Sequence, residues 1–362
     1  MEEKYFIRAM ELAENGRGKT SPNPFVGAVI VKNNEIVGEG FTQPYGQDHA
    51  EIQALKQAAE KAKDAEMYVT LEPCAHQGKT PPCADAIIES GIKKVYVGII
   101  DPNELVNGKG VAKLKDAGIE VETGIMAKEV RRQLEYYLTF IKEKRPFVIM
   151  KNAVSLDGKI ATEEGFSKWI TGADARRKVH LIRSELDAII TGLGTIINDN
   201  PMLNVRIDGD YKSPVRVVLD EHLSIPLESK LVRTADEVRT IVCKSEHYCN
   251  KEVEDKLKES KVEIISLPES DKGLDILALI KKLYEMNFTA IMVESGSKVC
   301  TSFLEEKLVD KIHYFMAPKI LGGNFSVFQS LSIKQMHQAI SIDIVDFEQV
   351  GTDYHFVGYL KY

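Results

Sequence analysis

The sequence has no stretch that approaches the roughly 18 consecutive apolar residues a membrane-spanning helix needs. Its N-terminal segment lacks the apolar core of a secretory signal, because charged residues separate the apolar positions. It also has no excess of basic residues: the formal net charge is -7, and clustered Lys and Arg would be needed to neutralise nucleic-acid phosphates. We therefore expect a cytoplasmic protein whose partners are neither membranes nor nucleic acids.

Cysteine is scarce as well. The chain has five, an odd number that does not suit a disulfide framework. Cys74 and Cys83 have Pro and His nearby, which favours metal binding in a reducing compartment. Cys243, Cys249 and Cys300 lack such neighbours, and we interpret them as inert thiols.

The length of 362 residues predicts two domains, and the hydrophobic content of 44% is ordinary for globular proteins. Both halves alternate apolar strand-like runs with helical patterns, which indicates the α/β class and strands joined by crossover helices. A long charged helix over residues 129–145 ends at Pro146, and a new strand pattern follows. We place one domain at residues 1–145 and the other at residues 146–362.

The sharpest signal in the first half combines His49, Glu51, Cys74 and Cys83. One imidazole and two thiolates leave the fourth tetrahedral position of a zinc ion for water, as in catalytic sites. Zinc lowers the pKa of such a water to about 7, and Glu51, two residues from a ligand, is placed to move the proton. Taken singly, His49 could cap a helix and the cysteines could be buried thiols. The combination favours a zinc site.

The pairs His-x-Glu and Pro-Cys are the signature of zinc nucleobase deaminases, whose glutamate is an acid/base and not a ligand. The segment LEPCAHQGKTPPC (71–83), together with TSPNPFVGAVIV (20–31) and DPN (101–103), resembles the deaminase half of bifunctional riboflavin-biosynthesis deaminase/reductases. The resemblance implies a cytidine-deaminase-like α/β/α domain with one zinc per chain. It also implies a substrate pocket lined by Asn23, His76, Lys79, Asp101 and Asn103. Thr42 and Glu104 depart from the family pattern.

The second half lacks a G-x-G-x-x-G after any strand, and the nearest approach, Gly192-Leu193-Gly194-Thr195, has no third glycine. A Rossmann site is therefore not expected. The segments KNAVSLDGKIAT (151–162), SKWITG (167–172), VESG (293–296) and FMAPKILGG (315–323) resemble the reductase domain of the same family, a relative of dihydrofolate reductase that binds NADPH.

That second resemblance implies two sets of site residues. The NADPH contacts are expected from Ala153, Trp169, Thr195, Asp199, Gly296 and Ser297. The ribityl precursor is expected at Ser167, Arg183, Leu203, Arg206 and Glu294. Ser295 departs from the Gly or Ala that is more usual in the family after the glutamate.

The family resemblance implies zinc-dependent deamination of a phosphoribosylated diaminopyrimidine, followed by NADPH-dependent reduction of its ribosyl group to a ribityl chain. It also implies a homo-oligomer. Two alternatives remain open: a nucleic-acid deaminase of the tRNA-editing kind, and a zinc-stabilised binding scaffold without activity. The acidic charge balance, the eight residues between Cys74 and Cys83 and the reductase motifs argue against the first alternative. An open fourth coordination position beside Glu51 argues against the second.

Overall fold

The structure, a computed structural model, describes residues 2–77 and 81–362. The chain divides into two compact units, Met1–Arg145 and Pro146–Tyr362, and each has a hydrophobic core of its own. Within the described residues, no helix is long and apolar enough to cross a membrane.

The first unit is built on one mixed sheet with strand order β2-β1-β3-β4-β5. Its strands are β1 (Gly27–Lys32), β2 (Glu35–Phe41), β3 (Glu66–Leu71), β4 (Lys94–Ile99) and β5 (Glu120–Thr123). Its α-helices are α1 (Glu3–Ala13), α2 (Ala50–Ala58), α3 (Cys83–Glu89), α4 (Lys109–Asp116), α5 (Ala127–Gln133) and α6 (Glu135–Glu143).

The expectation that crossover helices join the strands is right for β3, β4 and β5, which run parallel, and wrong for β1 and β2. These two strands form an antiparallel hairpin through Asn33 and Asn34, whose φ angles are 53° and 64°. Asparagine tolerates this left-handed region, and two such residues form the tight turn that hairpins prefer. The two glycines in β2 weaken its strand pattern, so β2 was not predicted from the sequence.

Close packing of α2 against β2 places the first turn of that helix. A Cβ atom on Gly40 would lie 2.2 Å from the carbonyl oxygen of Ala50, so only glycine permits this approach. The helix therefore starts directly over the sheet, with His49 at its N-cap. The single long helix expected over residues 129–145 is wrong in detail: α5 and α6 are separate, and the fully buried Leu134 lies between them.

The second unit is built on a larger sheet with strand order β10-β9-β8-β7-β13-β6-β14-β16-β15. Its strands are β6 (Phe147–Ser155), β7 (Ala188–Gly192), β8 (Val215–Leu219), β9 (Thr240–Ser245), β10 (Val262–Leu267), β13 (Ala290–Val293), β14 (Lys311–Ala317), β15 (Ser341–Val350) and β16 (Asp353–Lys361), with a short hairpin of β11 (Glu269–Ser270) and β12 (Gly273–Leu274). Its α-helices are α7 (Ala173–Ser184), α8 (Leu193–Asp199), α9 (Lys230–Arg233), α10 (Lys251–Glu259), α11 (Ile276–Glu285) and α12 (Ser297–Glu305).

Strands β7, β13 and β6 lie side by side and run parallel. Their registers align Ile190 with Val293 and Val293 with Met150, so the end of β13 lies near the end of β7 and beside the middle of β6, which continues to Ser155. The carboxyl ends of adjacent parallel strands are where α/β folds place their binding residues. Glu294 follows β13 directly at this edge and contacts Lys151, which lies within β6.

Candidate active sites

His49, Cys74 and Cys83 lie together in the first unit, with their ligand atoms all within 4.8 Å of one another. The Nδ1 atom of His49 is 3.7 Å from the Sγ atom of Cys74 and 3.3 Å from that of Cys83. The N-terminus of α2, the loop after β3 and the N-terminus of α3 each supply one of the three. Elements that are distant in sequence thus converge on one point.

The two sulfur atoms differ in their electrostatic environment. The thiol of Cys83 hydrogen-bonds to Cys74 and lowers the pKa of Cys74 to about 4, assisted by His49 and by the Cys83 backbone N–H, which donates to the Cys74 sulfur at 3.3 Å. Its own hydrogen bond to Cys74, together with burial, raises the pKa of Cys83. A second negative charge is therefore unfavourable unless a cation lies between the sulfurs.

The donor set fits zinc in both chemistry and spacing. Zinc bonds of about 2.3 Å to sulfur and about 2.0 Å to nitrogen at tetrahedral angles would separate the ligand atoms by about 3.5 Å. The distances from His49 to the two sulfurs bracket that value. A structural zinc site would use a fourth protein ligand, whereas only these three side chains group in this way among residues 2–77 and 81–362.

Glu51 lies in the first turn of α2 and is 3% exposed. Burial raises the pKa of Glu51 to about 7, although a positive charge on His49 opposes this shift. A carboxyl group with a pKa near neutrality can both accept and return a proton at cellular pH. The environment of Glu51 therefore suits proton transfer.

Glu72 is a buried carboxylate that sequence reasoning missed. It accepts hydrogen bonds from the backbone N–H groups of Asp101 at 3.1 Å, Gly108 at 2.9 Å and Val111 at 3.0 Å. It thereby holds the loop after β4 against the loop that carries Cys74. The position of Glu72, two residues before a ligand cysteine, could have indicated a role near the metal. Its partners are backbone groups, which no sequence pattern identifies.

The expected substrate residues of the first unit occupy the surrounding loops. Asp101 is buried and accepts hydrogen bonds from the Tyr137 hydroxyl at 2.9 and 3.0 Å and from the Asn103 backbone at 2.9 Å. Asn23 is half-buried in the loop before β1. The Nδ1 atom of His76 is buried without a hydrogen-bond partner within the described ranges, so it is available to a ligand.

Three further positions of the first unit were singled out from the sequence. Lys79 lies outside the described residues. Thr42 is buried, and its hydroxyl accepts the backbone N–H of Val26 at 3.0 Å. Glu104 is exposed, and its carbonyl oxygen accepts a hydrogen bond from Lys109.

A compact group of charges lies at the carboxyl end of β13 and beside the middle of β6 in the second unit. The Glu294 carboxylate is 2.8 Å from Lys151 Nζ and 2.8 Å from an Arg183 guanidinium nitrogen. Burial alone would raise the pKa of Glu294, but the charges of Arg183 and Lys151 lower it to about 2. Sequence reasoning missed Lys151, although it stands two residues before the expected cofactor contact Ala153.

This charge group gives a prediction for acid stability. Because the folded-state pKa of Glu294 is about 2, below its unfolded value of 4.5, its stabilisation is complete above pH 4.5 and disappears as the pH falls towards 2. The shift corresponds to about 3 kcal/mol, or about 1.4 kcal/mol for each pH unit. Circular dichroism follows the unfolding, because Trp169, the single tryptophan, is already 65% exposed in the folded protein and is a weak fluorescence reporter. Urea titrations from about pH 5 to about pH 3 should show a shallower pH dependence for Glu294→Gln than for wild type; equal slopes would contradict the prediction.

Two helix N-termini adjoin that charge group. Helix α12 begins at Ser297 with Gly296 as N-cap, directly after β13, and its free N–H groups suit phosphate oxygens. The hydroxyl of Ser297 is engaged with Ser330, so only its backbone is available. The Ser295 hydroxyl accepts the Gly192 N–H at 3.0 Å and lies 3.5 Å from the Thr195 hydroxyl, which joins the turns before α8 and α12.

The remaining expected cofactor and substrate residues lie on β6 and on the nearby loops. Ala153 is half-buried on β6, and Trp169 is 65% exposed with the Arg176 guanidinium 4.4 Å from its ring. The Ser167 hydroxyl donates to Asp199.

The loop after α8 carries the last two expected substrate residues. Leu203 is buried, with a φ of 47°, and Arg206 is exposed. A buried Leu203 side chain can support this loop, and contact with a ligand would come from its backbone.

Comparison with known proteins covers both units. The family model for the cytidine and deoxycytidylate deaminase zinc-binding region matches residues 1–99, and that for the RibD C-terminal domain matches residues 146–356. The chain is 44% identical over 353 residues to riboflavin biosynthesis protein RibD of Aquifex aeolicus, which covers 98% of this chain and 97% of the relative.

Solved structures of relatives match nearly the whole chain, including the following two. A diaminohydroxyphosphoribosylaminopyrimidine deaminase/5-amino-6-(5-phosphoribosylamino)uracil reductase from Thermotoga maritima is 37% identical with a TM-score of 0.88, covering 99% of this chain and 98% of that one. RibD of Acinetobacter baumannii, form 1, is 36% identical with a TM-score of 0.89, covering 99% of both chains.

These matches confirm the predicted fold class and the predicted pairing of a deaminase with a reductase. The two matched domains indicate zinc and a nicotinamide cofactor as the cofactor classes. The chain belongs to the RibD family of riboflavin biosynthesis proteins, which are bifunctional and join a zinc-binding deaminase domain to a reductase domain.

Proposed function

We propose that this chain removes the exocyclic amine of diaminohydroxyphosphoribosylaminopyrimidine by hydrolysis and then reduces the ribosyl group of the product to a ribityl chain with NADPH. The observation that carries the proposal is the grouping of His49, Cys74 and Cys83 beside the buried Glu51. We assign deamination to residues 1–145 and reduction to residues 146–362.

In the deaminase, His49, Cys74 and Cys83 would hold the zinc ion, one per chain. When bound, zinc lowers the pKa of a water molecule to about 7 and so makes a nucleophile available at neutral pH. Glu51 accepts a proton from the attacking water and delivers it to the departing amine. A carbon–oxygen bond forms, the carbon–nitrogen bond breaks, and ammonia leaves.

The loops around the metal ligands orient the pyrimidine nucleotide. Within residues 2–77 and 81–362 the Nδ1 atom of His76 has no hydrogen-bond partner, and Asp101 is held in place by Tyr137 and by the loop that Glu72 organises. Asn23 and Asn103 supply amide groups that match the polar edge of a pyrimidine. We assign the phosphate to Lys79, since a fixed cation is needed and this residue lies between the two cysteines in sequence.

In the reductase, the residues around Glu294 bind the ribosyl group and its phosphate. Arg183 and Arg206 are suited to the phosphate, because a guanidinium matches two phosphate oxygens at once. The Glu294 carboxylate, held by Lys151 and Arg183, is positioned to accept hydrogen bonds from sugar hydroxyls. Ser167 and Leu203 line the same site.

We infer that the nicotinamide cofactor would lie along β6 and the carboxyl ends of β7 and β13. The N–H groups of Gly296 and Ser297 would bind its diphosphate, and its further contacts would come from Ala153, Trp169, Thr195 and Asp199. NADPH supplies the two reducing electrons as a hydride. Self-association and a cytoplasmic location, which the family resemblance implies, stay predictions.

We expect a preference for NADPH over NADH of about tenfold or more. A charge-assisted hydrogen bond to the additional phosphate contributes roughly 1.5–3 kcal/mol, which corresponds to at least that ratio. The measurement compares initial rates with the two cofactors at equal, sub-saturating concentrations and with the deaminated substrate. Equal rates, or faster reduction with NADH, would show that the cofactor assignment is wrong.

Ammonia release tests the deaminase assignment and separates it from both alternatives. The purified protein should release ammonia from the diaminopyrimidine ribonucleotide without NADPH, and none from a structured RNA that contains adenosine and cytidine. Ammonia from the RNA alone would indicate a nucleic-acid deaminase. No ammonia from either compound, with zinc fully bound, would indicate a binding scaffold.

A further inference from the structure

Arg216, on β8, is a completely buried cation that no part of the proposed mechanism uses. Its side chain is 0% exposed. Burial lowers the pKa of Arg216 to about 10, so the guanidinium stays charged at neutral pH. Among the described residues its hydrogen bonds go to neutral oxygen atoms, with no carboxylate in contact.

The acceptors of Arg216 come from two separate segments. One segment is residues 231–240, which supplies most of them: the carbonyl oxygens of Leu231, Thr234 and Val238 and the hydroxyls of Thr234 and Thr240. The other segment supplies a single acceptor, the Met202 carbonyl oxygen, which lies 3.2 Å from Nη1. A guanidinium has five N–H donors in a rigid plane, so it can join both segments at once.

The Met202 carbonyl lies in the loop that leads from the expected cofactor residue Asp199 to the expected substrate residue Arg206. Within this loop Leu203 has a φ of 47°, in the left-handed region that is unfavourable for a leucine. Such a conformation persists only where surrounding contacts hold it. The contact from Arg216 acts on the residue directly before Leu203.

The same loop is also held from the substrate side, at Asn204, two residues after Met202. The Asn204 carbonyl oxygen accepts a hydrogen bond from Arg183 at 3.2 Å and lies 3.1 Å from His180 Nδ1. Arg183 also contacts Glu294. The backbone of residues 202–204 therefore connects Arg216, in the interior, to the charge group at the substrate site.

We propose that Arg216 is a positioning residue of the reductase: it holds the Met202 carbonyl, and through it the loop 202–206, in the conformation that binds the phosphoribosyl part of the substrate. This role rests on the proposed reductase function. An ordinary core residue would have a different effect: its loss would destabilise the second unit and would not weaken binding of the pyrimidine substrate more than binding of NADPH.

The test compares Arg216→Lys with a matched variant, Thr240→Val. Lysine keeps the charge but cannot donate to Met202 and to residues 231–240 together. Valine at position 240 removes an acceptor on the far side of the guanidinium and leaves the contact with Met202. Thr240→Val should therefore lower the stability of the second unit without changing the KM for the deaminated pyrimidine. Arg216→Lys should lower the stability and also raise that KM.

Steady-state kinetics on the full chain give the first readout. In Arg216→Lys, the KM for the deaminated pyrimidine should rise about tenfold or more, as expected for the loss of a hydrogen bond from a charged group. The KM for NADPH should stay within about twofold, because Asp199, the expected cofactor contact nearest to Met202, is held by Ser167 and Lys168 and not by Arg216. Equal increases of both KM values, or loss of the folded second unit as seen by circular dichroism, would overturn the positioning role.

Hydrogen exchange gives a second readout that does not depend on activity. The Val205 and Arg206 amides are hydrogen-bonded to Ser213 and His180, so the wild-type loop should be protected. Arg216→Lys should speed exchange in residues 202–206, and Thr240→Val should not. If wild type did not reduce the pyrimidine, the proposed function would fail, but faster exchange would still support the loop contact. Unchanged exchange in Arg216→Lys would refute it.

Discussion

Glu51→Gln should lower the deamination rate by a factor on the order of 10²–10⁴ while the protein keeps its zinc. Glu51 is 3% exposed beside the metal ligands, and glutamine has nearly the same shape. An amide cannot carry the proton from water to the departing amine, so the chemical step should fail although the site remains assembled. The measurement is ammonia release from the diaminopyrimidine ribonucleotide, with zinc content determined on the same sample.

The control for this variant is Glu60→Gln, which changes an exposed glutamate in the same unit. Glu60→Gln should deaminate at the wild-type rate. Both variants should reduce the deaminated substrate normally, because that reaction is assigned to the second unit. Retained deamination in Glu51→Gln would remove Glu51 from the mechanism, and loss of zinc would show that it acts on the metal site itself.

Cys74→Ser should lose zinc and deamination together. Cys74 is one of three protein ligands, and a serine hydroxyl is a much weaker zinc ligand than a thiolate at neutral pH. The pKa of Cys74, lowered to about 4, indicates that its sulfur is the first of the two to become anionic. We expect zinc far below one ion per chain and a deamination rate at least as low as that of Glu51→Gln.

Cys249→Ser is the matched control, since Cys249 is exposed and lies outside the metal group. It should keep full zinc and full deamination. Reduction of the deaminated substrate should survive in both cysteine variants, which separates loss of metal from general misfolding. A fully zinc-loaded Cys74→Ser protein would contradict the ligand assignment.

The grouping of His49, Cys74 and Cys83 could be anticipated from sequence because ligand chemistry limits which residue types can hold zinc. His49 and Cys83 were also predicted to open helices, and Cys74 to follow a strand, which supported placing the three together. The hairpin of β1 and β2 could not be anticipated in the same way. Gly38 and Gly40 weaken the strand pattern of β2. They allow close contact with α2, and this helix is not adjacent to β2 in any pattern that the sequence shows.

Positioning residues were the least accessible to sequence reasoning. Glu72 and Arg216 both bind backbone groups. Since nearly all residues have the same backbone groups, the sequence does not indicate which residues these side chains bind. Lys151 is a different case, because the strand that contains it was predicted. Its importance depends on Glu294, which reaches it only through the parallel pairing of β6 with β13.

The most direct test of the central claim is product analysis by mass spectrometry after incubation of the purified chain with the diaminopyrimidine ribonucleotide. Without NADPH, the deaminated pyrimidine that still carries its ribosyl group should accumulate, with one ammonia released for each molecule converted. With NADPH, the ribityl compound should appear and one NADPH should be oxidised for each molecule formed. Reduction of the substrate before its amine is lost, or recovery of the unchanged nucleotide under both conditions, would contradict the account.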